Sequence, residues 1–323
     1  EKCQERCEIM AKYIIKRLFY AFLTILVLLA LTFVMMHMLP GDPFSTGKAM
    51  DEGTKQALRA YYGLDKPLLE QFIIYVRNAM VGDLGQSIKY SRPVMQIIME
   101  SFPYSFQLGM LSLIFAVIAG VALGAVAAIR RGRAADTVAM TLSVIGVSIP
   151  SFIVAALLQY FCALKLNQLT GTQIFAVTGW GNFNQMILPA LALSFSSLAT
   201  VSRLMRTSML DVLSSDYIKT AKAKGLSEKA ILWKHAIRNA IMPVVTVLGP
   251  IAAAVLTGGF VVENVFSIPG MGKFFVLAIK ENDYTLIAGT TLFYGAFLIL
   301  AVLVVDILYG IIDPRIKLAS EKE

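Results

Sequence analysis

Apolar residues in this chain run in long blocks instead of alternating with polar ones. Stretches free of Asp, Glu, Lys and Arg cover 18–41, 101–129, 137–164, 166–202, 239–262 and 284–305. Each holds a helix of ~20 residues, enough at about 1.5 Å per residue to cross ~30 Å of hydrocarbon. The fourth also carries a polar, Gly-rich piece, 167–184, so its spanning part is expected to begin near Met186. The pattern predicts an all-α, polytopic membrane protein with six transmembrane helices.

The division along the chain follows from these blocks. Residues 1–17 form an N-terminal flank, 18–39 the first span, 40–102 an outer cap, 103–312 a five-helix core containing the loop 203–240, and 313–323 a tail. Within the cap, Leu64, Leu68, Leu69, Phe72, Ile73, Tyr75 and Val76 predict a helix over 61–80 with Pro67 in a first-turn position. Gly82-Asp83-Leu84-Gly85 breaks it, and a compact cap packed on the bundle is expected.

Charge gives the orientation. Lys2, Arg6, Lys12, Lys16 and Arg17, the loop with Arg130, Arg131 and Arg133, the loop 203–240 and the tail share one side and hold 19 of the 29 cations. Both termini and the basic loops are therefore expected in the cytoplasm. Hydrophobic residues make up 57% of 323 positions and charged ones 15%, so the net charge of +8 is topological and no basic soluble domain exists to bind nucleic acid. Cys3 and Cys7 sit in the polar leader on the reducing side, and Cys162 is an ordinary apolar residue of a span. The first span is too long for a removable signal peptide, and Met10-Ala11-Lys12 reads as a natural start downstream of residues 1–9.

The basic run from Asp216 to Ser227 carries the most information. Asp216 is expected to cap a helix running through Lys224, Gly225 to end it in a left-handed conformation, and Ser227 to cap the next helix with Glu228 in its first turn. Tyr217, Ala221 and Lys224 share one face, where the small Ala221 and Ala223 admit a close partner. A membrane-surface helix held by lipid phosphates is the alternative, but Ala and Thr anchor poorly in lipid.

Motifs for chemistry are sparse. Gly41 to Gly47-Lys48-Ala49 has five intervening residues where a phosphate loop has four, and Ala49 stands where a Ser or Thr is needed. An intramembrane protease needs Ser with His, or two Asp, facing each other. Ser148 is in a span, but His37, His235 and Asp306 lie near span ends or in a loop, so Ser148 and Ser151 around Pro150 read as packing or pathway residues. An ion-coupled secondary transporter has breaks to use at Pro150, Pro189 and Pro250, yet no Asp or Glu falls mid-span.

The stretch Tyr217 to Pro243, with Thr220-Ala221-Lys222-Ala223-Lys224-Gly225, resembles the cytoplasmic coupling loop of membrane subunits of binding-protein-dependent ABC importers. Lys219 and Thr220 replace the usual Glu and Ala, a departure matching the oligopeptide and dipeptide branch. So do Leu39-Pro40-Gly41-Asp42-Pro43, Tyr62-Gly63-Leu64-Asp65-Lys66-Pro67, Gly82-Asp83-Leu84-Gly85, Glu263 to Gly272, Asp283-Tyr284, and Asp306 to Arg315. The chain is similar to the B-type permease subunits of oligopeptide importers. That resemblance implies a type I importer fold and an ATPase-coupling loop of Asp216, Tyr217, Thr220, Ala221, Lys224, Gly225, Leu226 and Ser227. It implies a second, C-type permease subunit, two ATPase subunits that bind ATP and Mg, and an extracellular or lipid-anchored peptide-binding protein. This chain itself is expected to hold no cofactor or metal and to catalyse nothing. Dipeptide and nickel importers share most of these motifs.

Overall fold

The computed structural model describes residues 2–38, 40, 41, 43, 44, 51–256 and 259–312, with side chains described for all of them except 2–14 and 305–312. Leu39 and Asp42 of the Leu39 to Pro43 landmark, Gly47-Lys48-Ala49 and Asp313-Pro314-Arg315 with the tail lie outside the described residues, as do the side chains of Cys3, Cys7, Met10 and Asp306. Apart from one isolated antiparallel bridge, Gln86 to Pro93, regular structure among the described residues is helical. The helices are α1 (Lys2–Met38), α2 (Glu52–Tyr61), α3 (Leu68–Met80), α4 (Val94–Ile129), α5 (Ala134–Ser148), α6 (Ser151–Thr170) and α7 (Phe183–Ser214). They continue as α8 (Asp216–Ala223), α9 (Glu228–Ala240), α10 (Met242–Leu256), α11 (Phe260–Val265), α12 (Met271–Lys280) and α13 (Tyr284–Ile312).

Five of the described helices are long and apolar enough to cross a membrane, or six when α9 and α10, bent by 47° at their junction, count as one span. The bend has a covalent cause: Pro243 lacks the N–H that would continue the ladder, and it suits the first turn of α10 instead. Proline also splits the third expected span. Pro150 holds Ile149 extended (φ −91°, ψ 125°), so α5 ends at Ser148 and α6 starts at Ser151. Two π-helical turns, Gln159–Lys165 and Ile231–Ile237, lie within α6 and α9.

The described residues pack as two compact units, one drawn from 2–102 with 273–299 and one from 103–272 with 300–312. In the first, the single helix expected over 61–80 is instead α3 preceded by a separate α2, and Pro67 occupies the N-cap of α3. Phe72 of α3 packs edge-on to Phe33 of α1, ring centres 5.4 Å apart, and the His37 ring lies 5.1 Å from Tyr284. The 86–93 turn is tied to the start of α13 by one buried carboxylate. Asp283 accepts from the Ser87 hydroxyl at 2.5 Å and from the Ile88, Lys89 and Leu286 N–H groups at 3.1 Å each.

The second unit has one apolar cluster around Leu108, Leu188, Phe266 and Ile268, and another around Ala125, Val201, Met205, Met209, Ala236 and Val244. Beyond α10, helix α11 and the following turn fold back on a carboxylate. Gly272 N–H donates to Glu263 Oε2 at 2.8 Å, Ile268 N–H donates to the Glu263 carbonyl at 2.8 Å, and Met271 N–H donates to the Ser105 hydroxyl at 2.9 Å. Glu263 is fully buried, and its Oε1 has no protein partner among the described residues.

Candidate coupling loop

Helix α7 does not stop where the charge-free stretch ends. Arg203 to Ser214 are its last turns, and one extended residue, Ser215 (φ −70°, ψ 154°), leads into α8. Asp216 is therefore the first residue of α8 and not its cap; Ser215 holds the cap position, and Asp216 accepts from the exposed Lys219 ammonium at 2.8 Å. The helix ends at Ala223, one residue before the expected Lys224, which becomes the C-cap.

The stop is a complete Schellman motif. Gly225 N–H donates to the Lys222 carbonyl at 2.9 Å and Leu226 N–H to the Ala221 carbonyl at 3.3 Å, with Gly225 at φ +73°. Nothing lies within 4 Å of where a Cβ at 225 would sit, so glycine is needed there for backbone conformation alone. Ser227 then caps α9 as expected, its hydroxyl accepting from Ala230 N–H at 3.3 Å, with Glu228 in the first turn.

The face of α8 differs from the expected one. Ile218 and Ala221 are buried against Ile231 of α9 and Val212 of α7, so Ala221 packs on its own chain and is not offered to a partner. Burial of the two isoleucines is worth roughly 1.5–3 kcal/mol each and holds the turn in shape. What faces outward is Tyr217, Lys219, Thr220, Lys222, Ala223, Lys224, Gly225, Leu226 and Ser227, followed by Trp233, which is 69% exposed. The outcome is a pre-formed basic knuckle with three exposed apolar side chains, Tyr217, Leu226 and Trp233. Ile218, Ile231 and Trp233 were not singled out by sequence reasoning; bulky apolar residues inside a basic loop were their signal.

One charged pair braces the helix that leads into this loop. Arg206 of α7 makes a bidentate contact with Asp136 at the start of α5, Nε to Oδ1 at 2.5 Å and Nη2 to Oδ2 at 2.8 Å. Gly132 N–H of the α4–α5 turn donates to the same carboxylate at 2.9 Å. The Arg206 guanidinium, and then the Gly132 N–H, pull the Asp136 carboxyl down to about 2. Ser148 stands apart from any such partner: its hydroxyl donates to the Val144 carbonyl at 2.8 Å within its own helix.

The comparisons with known proteins bear on the whole chain. The family described as binding-protein-dependent transport system inner membrane component matches residues 120–318, and its N-terminal companion matches residues 10–109. This chain belongs to that family. It is a multi-pass membrane permease, all-α, of the type that the coupling-loop resemblance implied. It is 48% identical over 310 residues to the dipeptide transport system permease protein DppB of Bacillus subtilis, covering 96% of this chain and 99% of that one. It is 40% identical over 311 residues to the oligopeptide transport system permease protein OppB of Haemophilus influenzae, covering 95% of this chain and all of that one (100%). Among solved structures, an amino acid ABC transporter with histidines is 15% identical, with a TM-score of 0.48, covering 68% of this chain and 94% of that one.

Proposed function

We propose that this permease subunit imports short peptides, with ATP hydrolysed by partner subunits that dock on the knuckle at 216–227. The observation that carries the reading is the knuckle itself: an exposed, internally hydrogen-bonded turn at the end of α7, in a chain similar along 96% of its length to a dipeptide permease. Closure of two ATPases on ATP would push this turn, and the helices rigidly joined to it would move with it. The pathway for peptide would lie between this chain and a second, C-type permease, with a lipid-anchored or extracellular binding protein delivering substrate. The higher identity to the dipeptide permease than to the oligopeptide permease favours the shorter substrate. In this reading the protein lies in a bacterial cell membrane with both termini and the 216–227 turn in the cytoplasm.

The test is reconstitution in liposomes. Dipeptide uptake is expected only with the second permease, both ATPases, the binding protein and ATP together. Peptide accumulation by the purified chain alone, driven by a proton or sodium gradient, would overturn the proposal in favour of a secondary transporter.

A further inference from the structure

Helix α7 packs closely against α4 and α5 along residues 195–206. A Cβ at Gly120 of α4 would come within 2.8 Å of Val201 Cγ1 and 3.0 Å of the Leu198 carbonyl oxygen. One at Gly124 would press on the Ser202 carbonyl oxygen and lie 2.8 Å from Met205 Cβ. From α5, one at Gly146 would lie 2.8 Å from Ala199 Cβ and 3.1 Å from the Phe195 carbonyl oxygen. The carbonyls of Phe195, Leu198 and Ser202 thus stand close against glycines of α4 and α5, where no rotamer can adjust to absorb a displacement. One residue beyond Met205, the contact between α5 and α7 is charged, the Asp136–Arg206 pair. Asp136 is buried, and its carboxylate joins three elements at once: the α4–α5 turn through Gly132, the first turn of α5, and α7 through Arg206.

We propose that Asp136 and Arg206 are positioning residues for energy coupling, a strut that makes the α4–α5 turn and the end of α7 move as one body with the knuckle at 216–227. The inference rests on the reading above, in which that knuckle receives the push of the ATPases. A bidentate guanidinium–carboxylate pair fixes both distance and orientation, which an apolar contact of equal volume does not. Without it, the end of α7 keeps its apolar contacts with Ala125 and Ala128 of α4 but loses the one that fixes its angle to the α4–α5 turn, and ATP is hydrolysed while the spans respond weakly.

The experiment uses the complete importer in liposomes, with peptide uptake and ATP hydrolysis measured on the same sample. Asp136→Asn is expected to keep basal ATP hydrolysis and lower peptide moved per ATP by at least about fivefold, the lower end of typical coupling energies. Because removing one partner can also harm folding, the double variant Asp136→Leu with Arg206→Met supplies an apolar pair. It is expected to restore assembly but not the uptake-to-ATP ratio, and a wild-type ratio in the double variant would overturn the proposal. A wild-type importer that fails to couple uptake to ATP would defeat the functional reading and the strut with it. Normal wild-type coupling matched by Asp136→Asn would defeat the strut alone. A second readout is independent of transport. Nitroxide labels at the exposed positions Arg131→Cys and Lys219→Cys, with Cys3, Cys7 and Cys162 replaced by alanine, should keep one separation with and without trapped ATP, and lose that constancy in Asp136→Asn. A separation that changes with nucleotide when Asp136 is intact would also overturn the proposal.

Discussion

The Glu263 carboxylate occupies the space that a side chain at Gly270 would need. A Cβ added there would collide with Oε2 of Glu263 and come within 2.6 Å of the Ser105 hydroxyl, so the glycine of this turn answers to a buried acid seven positions earlier. Gly270→Ala is therefore expected to destabilise the second unit by about 1–3 kcal/mol through overpacking. Burial pushes the Glu263 carboxyl above the usual range, with Gly272 N–H and the Ser105 hydroxyl offsetting part of the rise. With the folded value raised, the stability linked to this proton is full below the ordinary carboxyl value and is lost as pH rises through the folded one. Glu263→Gln, which stays neutral, should flatten that dependence at pH values above the ordinary carboxyl range. Thermal unfolding of detergent-purified protein across those pH values checks both variants, and an unchanged pH slope in Glu263→Gln would count against a proton at this site.

Gly225 is the second test. Since nothing crowds the position, cost should follow backbone conformation and not size. Gly225→Asn, which tolerates the left-handed region, is expected to be nearly neutral, and Gly225→Val to cost about 1–2 kcal/mol and misdirect α9. In the reconstituted importer, ATP hydrolysis by Gly225→Val should be uncoupled from uptake, or the ATPases should fail to co-purify. Equal uptake by the Val and Asn variants would remove the turn from the coupling path.

Asp283 anchors four donors, and Ala at that position would strand the backbone N–H groups of Ile88, Lys89 and Leu286 together with the Ser87 hydroxyl. A loss of about 2–4 kcal/mol is expected in the first unit. Limited proteolysis should show it first as faster cleavage within 86–93, and Asp283→Asn should fall between wild type and Asp283→Ala.

Orientation is checked by labelling intact cells with a membrane-impermeant maleimide. Lys55→Cys in α2 should react and Lys222→Cys in α8 should not. The reverse pattern would place the knuckle on the wrong side for ATPases.

What was legible from sequence is what local chemistry decides. The charge-free blocks located the spans except the third, which Pro150 divides, while Gly225 marked a helix stop and Ser227 a helix start, because each feature acts within a turn or two of itself. The inward face of α8 was not legible: in eight residues, Tyr217 and Ile218 are the only bulky apolar side chains, and their adjacency gives no period by which to choose a buried side. Ile218 turns inward because Ile231 and Val212 wait there, which is tertiary information. The Asp136–Arg206 pair spans 70 positions, and the π-helical turns at 159–165 and 231–237 carry no residue signature that propensity recognises. Proline at 150 was visible as a kink, but whether it bends one span or ends a helix depends on what receives Ile149 in an extended conformation.

The tie between Ser87 and Asp283 also sets a clock for biogenesis. These residues are 196 positions apart, so at ~5–20 residues per second the ribosome needs roughly 10–40 s after releasing the first to deliver the second. Throughout that interval the 86–93 turn lacks the acceptor it has in the full fold, and a chain truncated before Asp283 never gains it. The arrival of Asp283 is thus registered at a turn 196 positions earlier, where a molecule lacking the last helix differs from one that has it.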